Sequence, residues 1–180
     1  MAGRGIYLIG FSGTGKSTVA GLVGARLGWP VYDLDLLIAE AAGLSIAEIF
    51  AREGEAGFRD RESAALRAVA ATGPSVVATG GGAPLRDENR ALMARTGWVI
   101  ALEGRPETLH ARLERQRNSA APDAVRPLLA GDDALARLSE LKARRQSLYA
   151  LADWTVHTDR LAPAQVAAEI VRAVALLAEP

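Results

Sequence analysis

Gly10-Phe11-Ser12-Gly13-Thr14-Gly15-Lys16-Ser17 spells GxxxxGK[ST], a phosphate-binding loop that begins ten residues into the chain. An apolar run, Ile6–Ile9, precedes it, and a helical pattern, Thr18–Leu27, follows. That is the strand–loop–helix setting the motif requires. Backbone N–H groups around Gly13 and Gly15 are placed to face a polyphosphate, and the helix N-terminus behind them adds positive dipole. The candidate nucleotide contacts are Gly13, Thr14, Gly15, Lys16, Ser17 and Thr18. Lys16 reaches toward the β- and γ-phosphates, and the Ser17 hydroxyl is a candidate Mg²⁺ ligand. With 18 glycines and only two lysines in the chain, such a match arises by chance about 0.002 times.

The remaining composition narrows the class. A length of 180 residues suits one domain with a full core. Formal net charge is zero, with 21 basic and 21 acidic residues, so no nucleic-acid or anionic-membrane partner is expected. Absence of cysteine excludes disulfides and thiolate metal sites. His110 and His157 are the only histidines, too few for a multi-histidine metal centre. No apolar stretch has the length of a membrane span, and the first strand starts too early to follow a signal peptide. A cytoplasmic protein is therefore expected.

Strand-like runs near Ile6–Ile9, Pro30–Tyr32, Ser75–Ala78, Trp98–Leu102 and Trp154–His157 are short and apolar on both sides, as in a buried parallel sheet. Helical patterns alternate with them over Leu34–Ala42, a short helix opened by the capping-box spelling Ser45-Ile46-Ala47-Glu48, Glu55–Ala71, Asp87–Arg95, Glu107–Arg117, Asp132–Leu151 and Pro163–Ala178. The alternation predicts an α/β fold, a doubly wound five-stranded parallel sheet with right-handed crossovers. Asn118 to Gly131, with Pro122, Pro127 and small polar residues, breaks the pattern and reads as a flap. The chain is thus one domain, 1–180, with a lid insertion at about 116–131.

Ligands of open parallel sheets bind beyond the carboxyl ends of the strands. After the second strand stand Asp33 and Asp35, at a spacing that lets both face the crevice. One suits Mg²⁺ through water and the other a substrate hydroxyl, although either is also a natural N-cap for the next helix. After the third strand, Thr79 is followed by Gly80, Gly81 and Gly82, which let a ligand lie against bare backbone. No acidic residue ends that strand, so Mg²⁺ must lean on Ser17, Asp33, phosphate and water. In Phe58-Arg59-Asp60-Arg61-Glu62, Arg59 and Glu62 share a helix face, and Arg59 is a fork for a carboxylate. Arg61 reads as solvated. Arg126 in the flap is a candidate to neutralise phosphate charge in transit. From spacing alone neither Arg126 nor Arg144-Arg145 is distinguished from exposed charge.

Taken together, GFSGTGKST (Gly10–Thr18), YDLD (Tyr32–Asp35), FRDRE (Phe58–Glu62), TGGG with Asn89-Arg90, RPLL (Arg126–Leu129) and RRQSLY (Arg144–Tyr149) resemble the shikimate kinase family over nearly the whole chain. The resemblance implies a P-loop fold of the nucleoside-monophosphate-kinase type, ATP with Mg²⁺, and transfer of the γ-phosphoryl group to the 3-hydroxyl of shikimate on the way to chorismate and the aromatic amino acids. Carried over by motif, it implies Asp35 on the substrate hydroxyls, Arg59 and Arg145 on the carboxylate, and Gly81 with its glycine neighbours on the ring hydroxyls. It further implies Asp33 and Ser17 on the metal, Lys16 and Arg126 on the phosphates, and a monomer.

Two stretches depart from the pattern. The segment Gln116–Val125 looks long, which leaves the arginine on adenine open among Arg112, Arg115 and Arg117. The adenine loop after the last strand matches loosely, with Arg160 a candidate there. Rival readings are a gluconate or nucleoside-monophosphate kinase, a GTP-dependent switch, and a binding protein without catalysis. The switch lacks its NKxD element, since the second lysine, Lys142, stands in Leu141-Lys142-Ala143.

Overall fold

The computed structural model describes residues 3–119 and 133–179. The strands are β1 (Gly5–Ile9), β2 (Val31–Asp33), β3 (Val76–Ala78), β4 (Gly97–Glu103) and β5 (Trp154–His157). Among the described residues they form one five-stranded sheet ordered β2-β3-β1-β4-β5, and every pairing is parallel. The helices are α1 (Lys16–Leu27), α2 (Leu34–Ala42), α3 (Ile46–Ala70), α4 (Asp87–Thr96), α5 (Pro106–Ser119), α6 (Ala134–Tyr149) and α7 (Pro163–Ala178), with a 3-10 turn at Ala83–Leu85.

Side chains alternate across each strand, so the buried run of β1 feeds two cores. Ile6 and Leu8 join Val19, Ala20 and Val23 of α1 and Val166, Ala167 and Ile170 of α7 on one face. Tyr7 and Ile9 join Leu66 of α3, Met93 of α4, Leu109 and Leu113 of α5, and Leu138 and Tyr149 of α6 on the other. Each fully buried aliphatic side chain contributes about 1.5–3 kcal/mol, so the centre of the sheet is the stiffest part of the molecule. The phosphate-binding loop leaves from its middle strand.

Local signals resolve as their chemistry dictates. Asp33 caps α2, accepting at Oδ1 from the N–H of Asp35 at 3.0 Å and of Leu36 at 3.4 Å. Ser45 and Glu48 form the reciprocal capping box that opens α3, an arrangement typically worth about 1 kcal/mol. The two helices expected around Glu53–Glu55 join into one run, kinked where Gly54 takes φ 70° and ψ −174°. Only glycine adopts that conformation without strain. Arg61, expected to be solvated, lies on the surface and forks onto Glu53 across the kink with two contacts of 2.7 Å.

Helix α5 also outlasts its expected end at Arg117. It runs to Ser119, carried by Arg117 pairing back to Glu114 at 3.0 Å, so the first residues of the expected lid are helical. Residues 120–132, where the rest of the lid and Arg126 fall, lie outside the described residues.

Candidate active site

The loop between β1 and α1 is shaped by two glycines in the left-handed region, Gly13 at φ 83° and Gly15 at φ 93°. Thr14 is buried and its hydroxyl donates to the Phe11 carbonyl at 2.8 Å, closing the turn from inside. Lys16 lies back along the loop, Nζ donating to the carbonyls of Gly10 at 2.8 Å and Phe11 at 3.0 Å. Ser17 and Thr18 are exposed at the start of α1, whose first turn carries no acidic residue. The positive end of that helix dipole is therefore uncancelled from within.

Beside this loop, three successive glycines each meet a different charged group. A Cβ at Gly80 would come within 2.3 Å of Glu62 Oε1 and 3.1 Å of Asp35 Oδ1. At Gly81 it would stand 3.7 Å from both Arg145 Nη1 and the Ser12 nitrogen, and 3.5 Å from the Gly10 carbonyl oxygen. At Gly82 it would fall 2.3 Å from Arg59 Nη2. The glycine run is thus a bare ridge, with two carboxylates, two guanidinium groups and the phosphate loop drawn up around it.

Arg59 and Glu62 of α3 form the innermost pair. Arg59 Nη1 donates to Glu62 Oε2 at 2.7 Å, with the side chains 12% and 0% exposed. Its other nitrogen, Nη2, reaches the outer Glu55 at 3.4 Å, and the guanidinium lies 5.1 Å over the Phe58 ring. Burial pushes the Glu62 carboxyl above its ordinary pKa. Arg59 pulls it back, Asp35 adds to the rise, and Arg145 opposes it. Arg59 Nε and Glu62 Oε1 are buried and have no hydrogen-bond partner among the described residues.

Helix α6 supplies the opposite wall. Arg145 is held 5.6 Å over the Phe11 ring and Nη1 donates weakly to the Gly81 carbonyl at 3.4 Å. The Tyr149 hydroxyl donates to the same oxygen at 2.7 Å. Burial pushes the Tyr149 phenol up to about 12 against the lowering effect of Arg145, so it remains a donor at any physiological pH.

The structure separates the arginines that sequence left open. Arg112 Nη2 donates to the Thr158 carbonyl at 2.6 Å and Nη1 to its hydroxyl at 2.9 Å, with Gly13 O 3.5 Å away. It therefore joins the phosphate loop to the loop after β5. Arg115 turns back to the Ala111 carbonyl and Arg117 to Glu114. Arg160 is exposed, two residues from Thr158. Asn89 and Arg90 brace the glycine ridge from behind, donating to the carbonyls of Ala83 and Pro84.

Sequence reasoning missed the buried Glu103 and its two partners on α6, the half-buried Lys142 and the exposed Gln146, which flank Arg145 in sequence. The available signal was Glu103 itself, an acidic residue ending the apolar run Trp98–Leu102.

A parallel sheet of this order, a phosphate-binding loop on its middle strand and a glycine ridge ringed by charged groups next to that loop define a P-loop small-molecule kinase. Residues 12–175 match the family model described as shikimate kinase. A shikimate kinase of Symbiobacterium thermophilum is 46% identical over 167 residues, spanning 92% of this chain and 93% of that protein. One from Gloeobacter violaceus is 45% identical over 175 residues, spanning 97% and 94%. The structure of a shikimate kinase from Acinetobacter baumannii in complex with shikimate superimposes with a TM-score of 0.88 at 32% identity, covering 99% of this chain and 96% of that one. The chain belongs to the shikimate kinase family.

Proposed function

We propose that this chain transfers the γ-phosphoryl group of ATP to the 3-hydroxyl of shikimate, giving shikimate 3-phosphate and ADP. That product lies on the route to chorismate and the aromatic amino acids. The observation that carries it is the ridge Gly80–Gly82, where Asp35, Arg59 and Arg145 meet within reach of the phosphate loop. Shikimate brings one carboxylate and three hydroxyls. A site for it needs a cationic fork, an acidic acceptor and close backbone approach, and these residues supply all three. The partnerless Arg59 Nε and Glu62 Oε1 fit a ligand that completes the polar network, directly or through water.

Phosphoryl transfer asks for positioning and charge neutralisation more than for covalent chemistry by the protein. In this reading Arg59 and Arg145 hold the carboxylate, and Glu62 holds Arg59. Gly80, Gly81 and Gly82 give the ring hydroxyls a floor. Asp35 orients the acceptor hydroxyl and takes up its proton. Lys16 leaves its carbonyl partners for the phosphates, with Gly13, Thr14, Gly15 and Thr18 around them. Arg126, outside the described residues, is assigned to the same charge as part of a lid over about 116–131. Arg112 is the better placed of the three candidates for adenine, and Arg160 borders that loop.

The donor set suits Mg²⁺ delivered with a nucleotide. Ser17 is exposed at a helix N-terminus, and Asp33 caps α2 through Oδ1. Among the described residues no group of three or more His, Cys, Asp or Glu is placed to hold a metal by itself. When bound, the ion supplies neutralisation of phosphate charge. Among the described residues no helix is long and apolar enough to cross a membrane. We assign the chain to the cytoplasm as a single-domain monomer, which sedimentation velocity tests.

A coupled assay of ADP release with ATP and Mg²⁺ tests the activity, with shikimate, gluconate and nucleoside monophosphates as acceptors. Release that depends on shikimate alone is expected. Equal or greater release with gluconate would refute the assignment.

A further inference from the structure

We propose that Glu103, Lys142 and Gln146 form a clamp that sets where Arg145 points, an inference that rests on the shikimate kinase function proposed above. Glu103 is the last residue of β4, and its side chain is 7% exposed. Lys142 Nζ pairs with Oε2 at 2.7 Å, and Gln146 Nε2 donates to Oε1 at 3.1 Å. Lys142 Nζ also donates to Gln146 Oε1 at 2.8 Å, which closes a ring of three contacts.

The geometry is that of an orientation device. Lys142 and Gln146 stand one helical turn apart, so both project from one face of α6. Leu138 and Tyr149 already seat α6 in the core. Two anchors a turn apart on the two oxygens of one carboxylate add a hold on the flank next to Arg145. Arg145 lies on the turn between the anchors, and each residue is rotated by roughly 100° from the last. Three residues after Lys142, it shares a flank of the helix with that anchor, and its guanidinium is carried over Phe11 and toward Gly81. Without the clamp, the long arginine stem would have several rotamers.

Energetics point the same way. Lys142 is 14% exposed, so both charges have given up most of their hydration. A buried ion pair adds little net stability over an apolar pair of the same shape. What this one adds is placement, and it ties Arg145 to the strand that lies beside β1 and its phosphate loop.

Steady-state kinetics of the full chain test the clamp. Lys142→Met is expected to raise KM for shikimate about 10-fold, with kcat and KM for ATP changed less than about 3-fold. Gln146→Leu should move the same constant by less, and Lys142→Arg should restore it. In an Arg145→Ala background, adding Lys142→Met should change KM for shikimate less than about 2-fold, because the two act in series. Should Lys142→Met not fold, the Glu103→Gln/Lys142→Met chain leaves no lone buried charge and is expected to show the same rise.

An unmoved KM for shikimate in the folded variants, with normal turnover of the unaltered chain, would overturn the clamp alone. A Lys142→Met effect of full size in the Arg145→Ala background, or one falling equally on kcat and both KM values, would also overturn it. Absence of shikimate turnover in the unaltered chain would overturn the functional reading and the clamp together.

Discussion

The Tyr149 hydroxyl donates to the Gly81 carbonyl oxygen at 2.7 Å, joining the C-terminal end of α6 to the middle of the glycine ridge. Tyr149 is 1% exposed, while Gly81 is half-buried. The bond fixes the Gly81 peptide plane and, through α6, its distance from Arg145. The glycine ridge and the C-terminal end of α6 are thereby tied together.

Tyr149→Phe should release that unit. A neutral hydrogen bond of this kind is worth about 1 kcal/mol, so KM for shikimate is expected to rise roughly 5-fold with kcat little changed. The phenol also has a pH signature. Its pKa is raised from 10.0 to about 12 in the fold. Its contribution to stability is therefore complete below pH 10 and lost as pH climbs toward 12. Tyrosinate absorbance against pH should show a late-titrating component that shrinks in Tyr149→Phe, with Tyr7, also raised by burial, accounting for part of what remains.

Gly82→Ala tests the ridge from its other end. The backbone there has φ −104° and ψ −1°, which alanine tolerates. The new methyl group, however, would lie within 2.5 Å of three Arg59 guanidinium atoms. Arg59 must move, so KM for shikimate is expected to rise about 10-fold or more. Thermal unfolding should shift by only a few degrees. An unchanged KM would show that Arg59 does not touch the substrate.

Glu62→Gln probes the buried carboxyl. Burial raises its pKa above 4.5 in the fold. A carboxyl shifted this way stabilises the fold at low pH and loses that contribution as pH rises through its folded value. The unaltered chain should therefore lose stability, relative to Glu62→Gln, as pH rises from about 4.5 toward neutrality. Urea unfolding of both chains across that range checks it. Parallel curves would mean that Glu62 titrates in the fold as it does in the unfolded chain.

Lys16→Ala should lower kcat by about 10³-fold or more, the scale for loss of a cation aimed at developing charge. Stability should change little, since the ammonium's hydrogen bonds to the Gly10 and Phe11 carbonyls stay within its own loop. Single-turnover phosphoryl transfer with saturating ATP and shikimate is the measurement.

Much of this was legible in the sequence because it depends on local chemistry. The phosphate loop, the Asp33 cap, the Ser45/Glu48 box and all five strands follow from short-range spacing. Asp35, Arg59, the glycines and Arg145 were legible only as an ensemble of motifs. What spacing could not give was the pairing of distant residues. Glu103 meets Lys142 across 39 positions of chain, and Arg112 meets Thr158 across 46. Neither pair shares a periodicity, because packing of α5 and α6 on the sheet creates both. The continuity of α3 through Gly54 was hidden for the opposite reason. A glycine there reads as a break, and the Glu53–Arg61 fork that bridges it is not a helical spacing.

Shikimate recognition through its carboxylate is measured most directly by comparing the chain's kcat/KM for shikimate with that for the analogue whose carboxylate is reduced to an alcohol. With Arg59 and Arg145 both serving the carboxylate, the alcohol is expected to lose about 10³-fold or more, and most of that loss should vanish in Arg145→Ala. Equal kcat/KM for the two acceptors would contradict the assignment of both arginines.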